Sequence, residues 1–342
     1  MRLLITGGGG FIARHFIKRL SRERVPLTLY DRVVPDWDPG PVQVVRGDIR
    51  DRCPLLRAAT RCDAVLHLAA AHHDSGISAR TYYDVNEGGT RALCDVLDEA
   101  GISNVCFFST VAVYGDSPEP RHEDAPTRPT GPYGESKLAA ERVLEDWVAR
   151  APGRRVVIIR PPVVFGAGNY ANMYSLIRQI DRGGFVQVGK GRNVKSLVYV
   201  ENLVEATLLV WLREASPPFE IVNVVDKPDL TSRQIAEILC QALGRPLPRR
   251  SIPLGLALAL GLPFDALSWL TGRSLRISRA RIRKYAAEQT KFEAEKLARL
   301  GFRATISLEE GLRRMVDWYH REGRRTPAQP RLPPASVMYS PG

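Results

Sequence analysis

Four consecutive glycines, Gly7 to Gly10, separate an apolar run, Arg2 to Thr6, from a segment, Phe11 to Leu20, whose apolar residues recur every three or four positions. The first run reads as a strand and the second as an amphipathic helix. A strand, a glycine turn and a helix in that order constrain the chain strongly. The N–H groups that open the helix point at one spot, and glycine lets a large anion come close to them. By itself a run of four glycines could be only a flexible loop. The spacing here is narrower, Gly7-x-x-Gly10-x-x-Ala13, with a small alanine where helix must pack on strand. Such a turn suits the pyrophosphate of a dinucleotide.

The next strand, Leu27 to Asp31, ends in a carboxylate 21 residues beyond Gly10. There it can accept both hydroxyls of an adenosine ribose and repel a 2′-phosphate, which predicts NAD rather than NADP. Arg32 beside it could accommodate that phosphate or could simply be solvated. Further strands are expected at Val42 to Val45, Ala64 to Leu68, Asn104 to Ser109 and Arg155 to Ile159, with helices at Gly88 to Ala100 and Tyr133 to Ala149. This alternation predicts right-handed βαβ units, hence an α/β fold with a doubly wound parallel (Rossmann) sheet over residues 1–165. Beyond Phe165 the elements shorten: Tyr174 to Asp181 and Leu230 to Leu243 read as helices, Gln187 to Gly189 and Leu197 to Val200 as extended. A smaller C-terminal substrate lobe is expected over 166–323, with Ile221 to Val225 returning to the main sheet. Residues 324–342 hold several prolines and few apolar residues and read as a solvated tail.

The chemistry is carried by two segments. Ser109-Thr110-Val111-Ala112 closes one strand, and Pro132-Tyr133-Gly134-Glu135-Ser136-Lys137 opens a helix, so that Tyr133 and Lys137 share a helix face. A lone Tyr-x-x-x-Lys is weak, but after the glycine turn it is specific. A tyrosine that takes a hydroxyl proton while hydride leaves the same carbon must be acidified. The Lys137 ammonium can do this, together with the positive nicotinamide, while Thr110, or failing it Ser109, holds the reacting oxygen.

These motifs resemble the extended short-chain dehydrogenases, in particular the NAD-dependent epimerase/dehydratase family, over nearly the whole chain. Gly47-Asp48-Ile49, His67-Leu68-Ala69-Ala70 and Val85-Asn86-Glu87-Gly88-Gly89-Thr90 complete the likeness. The resemblance implies NAD held by Gly7, Gly10, Phe11 and Ile12 at the pyrophosphate, by Asp31 and Arg32 at the ribose, and by Asp48 and Ile49 at the adenine. It implies that Leu68, Ala69, Ala70, Asn86, Ser109 and Pro161 line the rest of the cofactor site, with Tyr133 and Lys137 at the nicotinamide, and that the protein is a homodimer.

Within that family, sugar 4,6-dehydratases carry an Asp-Glu pair directly after the threonine, where this chain has Val111-Ala112. The acid for water loss is missing, and the expected reaction is C4 epimerisation. Soluble nucleotide-sugar epimerases carry Arg-Tyr-Phe-Asn and Arg-Asp-Tyr segments, whereas here stand Arg160-Pro161-Pro162-Val163 and Lys195-Ser196-Leu197. Those departures, with His72-His73-Asp74, Asn193-x-Lys195-Ser196-x-x-Tyr199-Val200 and Val225-Asp226-Lys227-Pro228, resemble bacterial enzymes that epimerise N-acetylglucosamine on undecaprenyl diphosphate. Asn169, Asn172 and Lys195 are then the candidates for the diphosphate and acetamido groups. The rivals are a soluble UDP-sugar 4-epimerase and a net oxidoreductase such as a hydroxysteroid-type dehydrogenase or ketosugar reductase. A catalytically dead sensor usually lacks Tyr or Lys, and both are present.

Charge and hydropathy bear on partners. An excess of 49 Lys and Arg over 37 Asp and Glu gives a net charge of +12, which attracts diphosphates or anionic lipid. No nucleic-acid-binding signature accompanies it, so nucleic acid is not an expected partner. The run Leu254 to Leu262, continued by Phe264, Leu267, Trp269 and Leu270, is too short and interrupted to span a bilayer of about 20 apolar residues. Arg249 and Arg250 precede it, and Arg273, Arg276, Arg279, Arg281, Arg283 and Lys284 follow. Residues 252–284 could therefore lie in an anionic membrane surface, or else form a buried hairpin or a subunit contact. His72 and His73 lack a third ligand, so no metal is expected. Five scattered cysteines fit reduced thiols. A strand beginning at Met1 leaves no room for a signal peptide, which points to the cytoplasm or the inner face of its membrane.

Overall fold

The computed structural model describes residues 1–342 except 36, 73–76, 118, 249–250, 272–289 and 326–342. Its centre is a seven-stranded parallel sheet in the order β3-β2-β1-β4-β5-β6-β11. The strands are β1 (Leu3–Thr6), β2 (Leu27–Asp31), β3 (Gln43–Arg46), β4 (Ala64–His67), β5 (Asn104–Phe108), β6 (Arg155–Arg160) and β11 (Phe219–Asn223). Leu3 is in register with Leu27 on one side and Ala64 on the other, so β1 is central and the winding direction reverses there. Rossmann sheets open a crevice at that reversal, beyond the carboxyl ends of the strands.

Both faces of the sheet are covered except at the edge strand β3, which is largely exposed, and this explains why the inner strands read as apolar runs rather than alternating ones. Leu3 and Ile5 pack with Phe16, Ile17 and Leu20 of α1 (Phe11–Arg22) and with Trp211 of α7 (Val200–Leu212). Leu4 and Val65 face the other way, onto Leu93 and Leu97 of α4 (Gly89–Ala100) and Leu144 and Trp147 of α5 (Pro132–Ala149). The helix expected at Gly88 is preceded by a π-helical turn, Tyr83–Gly88, that runs on from a short helix, α3 (Ala79–Tyr82). Two further helices, α2 (Arg52–Ala59) and α7, were not apparent from the pattern. In α7 the sequence Val-Glu-Asn-Leu-Val-Glu-Ala-Thr-Leu-Leu-Val-Trp-Leu is apolar on nearly every side, so no stripe marks it.

Beyond β7 (Val163–Phe165) the chain builds around α6 (Asn172–Asp181), α8 (Ser232–Ala242) and a helix at Leu308–Trp318, which enclose Phe165, Ile177, Leu239 and Leu312. Its strands come in twos: β7 with β10 (Leu197–Tyr199), β9 (Val194–Lys195) with β12 (Leu230–Thr231), and β8 (Gln187–Val188) with β13 (Ser251–Ile252). The apolar run after β13 forms one helix, α9 (Leu254–Thr271), with Pro263 inside it. Ala257 is buried, while Leu256, Leu260 and Leu262 are half exposed at 53%, 55% and 50%. Among the described residues no helix is long and apolar enough to cross a membrane. The cations expected to flank this helix, at 249–250 and 273–284, lie outside the described residues.

Candidate active site

The glycine turn folds tightly because side chains cannot fit there. Gly7 has φ +71°, and a Cβ on it would lie 2.7 Å from the Ala69 amide nitrogen. A Cβ on Gly9 would lie 2.7 Å from the Val33 carbonyl oxygen. Gly10 precedes α1, which opens with no side-chain cap and no acidic residue in its first turn. The amide groups at Phe11 and Ile12 and the positive helix end are therefore available to an anion. Leu68, Ala69 and Ala70, each partly exposed, continue from β4 beside this turn.

Asp31 lies at the end of β2, where its carboxylate accepts the Gly9 N–H at 2.9 Å and the Val33 N–H at 3.0 Å. Burial pushes its pKa upward against those two bonds. Arg32 is held at 3.2 Å by Asp48, which also accepts bonds from Arg50 Nε at 2.9 Å and Nη2 at 2.8 Å. Burial opposes the Asp48 charge, but the bonds from Arg50 outweigh it and hold the carboxyl below the usual carboxylate range. Ile49 is buried against Gly89, where a Cβ would approach its Cγ2 to 2.5 Å.

At the opposite side of the crevice, Pro132 starts α5 and brings Tyr133, partly buried, and Lys137, 2% exposed, onto one helix face. A Cβ on Gly134 would lie 2.7 Å from the Ala112 carbonyl, so this glycine lets α5 approach the turn that carries Thr110. That turn, Val111–Tyr114, is a 3-10 helix capped by Thr110, whose Oγ1 accepts the Ala112 N–H at 3.2 Å. The Tyr133 ring lies 6.1 Å from that of Tyr82. The Lys137 Nζ sits 4.0 Å over the Phe107 ring. Burial draws its pKa down to about 7, against the opposing pull of Glu141.

A buried polar frame supports these groups. His67 bonds Thr6 Oγ1 at 2.6 Å and Thr90 Oγ1 at 3.1 Å, and burial, helped by the Lys137 ammonium, lowers its pKa to about 3. The Asn86 amide accepts the Ala71 N–H at 2.7 Å and donates to the Ala71 carbonyl at 3.1 Å and to Ser136 Oγ at 2.9 Å. Ser136 in turn donates to the Tyr133 carbonyl at 2.9 Å, so one side chain ties the loop after β4 to the start of α5. Ser109 Oγ is buried with no partner among the described residues, and Pro161 is buried at the end of β6. A buried hydroxyl without a bond, an uncapped helix start and a turn free of side chains together fit a dinucleotide laid across this crevice.

Sequence reasoning missed Ser136, Phe107 and Glu141. Glu141 follows Lys137 by four residues on a helix, and Phe107 shares a strand face with Ser109, so both were within reach of periodicity; Ser136, next to Lys137 in the chain, was not.

The expected substrate residues are more scattered. Asn169 is used by its own loop, donating to the Val164 carbonyl at 2.9 Å and accepting the Ala171 N–H at 2.8 Å. Asn172 is exposed at the first turn of α6, and Lys195 is half-buried on β9. His72 is exposed beside the Ala70 carbonyl at 3.3 Å, whereas His73 and Asp74 lie outside the described residues.

The sequence matches the NAD dependent epimerase/dehydratase family over residues 3–224. It is 36% identical over 317 residues to the N-acetyl-alpha-D-glucosaminyl-diphospho-ditrans,octacis-undecaprenol 4-epimerase of Escherichia coli O157:H7, covering 92% of this chain and 94% of that one. It is 29% identical over 305 residues to the UDP-glucose 4-epimerase of Streptomyces lividans, covering 80% and 92%. Among solved structures it resembles the dTDP-glucose 4,6-dehydratase DesIV from Streptomyces venezuelae with NAD and TYD bound, at TM-score 0.77 and 27% identity over 96% of this chain and 100% of that one.

Proposed function

This chain belongs to the NAD dependent epimerase/dehydratase family, and from that premise we propose that it inverts C4 of an N-acetylhexosamine carried on undecaprenyl diphosphate, interconverting the GlcNAc and GalNAc forms for surface polysaccharide synthesis. The observation that carries this reading is the full-length likeness to the undecaprenol-linked 4-epimerase, joined to a crevice that keeps Tyr133 and Lys137 on one face of α5. Residues 1–165 serve the cofactor and 166–323 mainly the substrate.

NAD, when bound, supplies a two-way hydride acceptor. Gly7, Gly10 and the amides of Phe11 and Ile12 would hold its pyrophosphate, and Asp31 its adenosine ribose. Arg32, engaged by Asp48, is drawn away from a 2′-phosphate, which favours NAD. Tyr133, as phenolate, takes the proton of the sugar C4 hydroxyl while hydride leaves that carbon. Lys137 keeps the phenolate ionised by its charge, and Thr110 hydrogen-bonds the reacting oxygen. The resulting ketone turns over within the site, receives hydride on its other face, and regains its proton from Tyr133. With Val111 and Ala112 after Thr110, no acid stands there to expel water, so the cycle closes as an epimerisation.

Lys195 with Asn169 and Asn172 is the reading for the diphosphate and acetamido groups. The exposed leucines of α9, in a chain of net charge +12, support a cytoplasmic enzyme that rests peripherally on an anionic membrane where its carrier resides; a homodimer is the expected assembly. Binding to phosphatidylglycerol vesicles that is lost in L256D/L260D, with turnover of a short-chain soluble substrate retained, would support the membrane contact; undiminished binding would remove it.

The substrate test offers N-acetylglucosamine on undecaprenyl diphosphate and on UDP in parallel and scores inversion at C4. Turnover of the lipid-linked sugar is expected. Conversion of the UDP compound alone would reject the carrier and favour a soluble nucleotide-sugar epimerase, as the likeness to UDP-glucose 4-epimerase would then suggest.

A further inference from the structure

Glu141 stands one helical turn after Lys137 on α5, and the two side chains are among the most deeply buried charges of the molecule, 3% and 2% exposed. Both Glu141 oxygens are taken by Arg160, at the end of β6, through Nε at 3.0 Å and Nη2 at 2.5 Å. The guanidinium lies 4.8 Å over the Tyr114 ring. Tyr114 closes the turn that Thr110 caps, and its hydroxyl donates to Asn223 Oδ1 at 2.8 Å on β11. A continuous contact therefore runs from the catalytic helix through Glu141 and Arg160 to the turn bearing Thr110.

We propose that Glu141 is a positioning residue: clamped by Arg160 and one helical turn from Lys137 on the buried face of α5, its carboxylate keeps the Lys137 ammonium charged and fixes α5 relative to the Thr110 turn. The inference rests on the assignment of Tyr133 and Lys137 made above.

The groups around that ammonium are few. Tyr133 and Glu141 share its helix, and β4 contributes His67, which burial keeps neutral. From β5 comes the Phe107 ring, and β6 and the Thr110 turn contribute Arg160 and Tyr114 behind Glu141. The carboxylate that opposes the desolvation of Lys137 is Glu141. Arg160 makes this durable, because a carboxylate buried without a cation would take up a proton.

Above its pKa Lys137 loses the charge that keeps Tyr133 ionised, and turnover falls on the alkaline side. Removing the Glu141 charge lowers that pKa and moves the alkaline limb to lower pH by about one unit. Because Glu141→Gln alone leaves Arg160 buried and unpaired, the informative protein is E141Q/R160M, which removes both charges at similar volume. The NAD-loaded double variant is expected to fold, to keep its cofactor and to show a limb moved part of the way, because the loss of the more distant Arg160 charge offsets some of the shift, while Glu141→Gln with Arg160 retained shows the full shift and Glu141→Asp keeps the wild-type limb. A wild-type profile in both folded Gln variants would overturn the proposal. Failure of the double variant to fold would do the same, by assigning the pair to the fold alone. Lys137→Met is measured alongside: if it retains turnover, the underlying assignment of Lys137 has failed rather than the role of Glu141.

Discussion

At the carboxyl end of the sheet, Thr6, His67, Asn86 and Ser136 are all buried, and each bonds to a partner on another element. In the lobe beyond Phe165, Asn169 bonds within its own loop, Asn172 is exposed, and Lys195 sits on a two-residue strand. The polar groups of the first region are tied to one another across elements; those of the second sit on separate elements around a core of their own. Chemistry common to a family needs the frame, because proton and hydride transfer tolerate little misplacement. On the division proposed above, substrate choice falls to the lobe, where residues can change without disturbing that frame.

The largest expected contrast comes from one substitution in each region. Tyr133→Phe should lower kcat by about 10²- to 10⁴-fold and leave NAD binding intact, whereas Lys195→Ala should act mainly through KM with kcat nearly preserved. Steady-state kinetics on both proteins would break the comparison if the lobe variant lost kcat as severely.

A second contrast uses two glycines of similar backbone conformation. Gly7 and Gly189 have φ of +71° and +65°, but a Cβ at Gly7 would meet Ala69 at 2.7 Å, whereas one at Gly189 would meet nothing within 4 Å. Gly7→Ala should abolish NAD retention, and Gly189→Ala should cost only the left-handed strain of about 1–2 kcal/mol. Cofactor content and thermal unfolding of the two variants measure this directly.

A third effect, gradual rather than abrupt, is on pH dependence. His67 is held neutral in the fold with its pKa lowered to about 3 from 6.5. The unfolded chain therefore binds a proton that the folded chain refuses between those values. Stability is fully present above pH 6.5 and falls as pH drops toward 3, by on the order of 1 kcal/mol per pH unit. His67→Asn should flatten that slope in urea titrations, and an unchanged slope would place the acid sensitivity elsewhere.

The same contrast explains what the sequence revealed. The glycine turn, Asp31 and the Tyr133–Lys137 pair are each set by the local geometry of one strand end or one helix face, so spacing alone exposes them. The Asn86–Ser136 link joins residues 50 apart in the chain, and the Glu141–Arg160 pair joins residues 19 apart. No local period encodes either. In the lobe, α9 read as an interrupted apolar run because Pro263 breaks the pattern, yet it forms one helix. The role of Asn169 in closing its own loop was equally hidden, since its partners Val164 and Ala171 are backbone groups that carry no sequence signature.

The proposed reaction turns on hydride leaving and returning to one carbon inside a single site. Deuterium placed at C4 of the lipid-linked sugar measures this. The expected result is an inverted product that keeps its deuterium in full, with no reduced cofactor released to solution. Washout of the label into water, or its accumulation in free reduced cofactor, would contradict it.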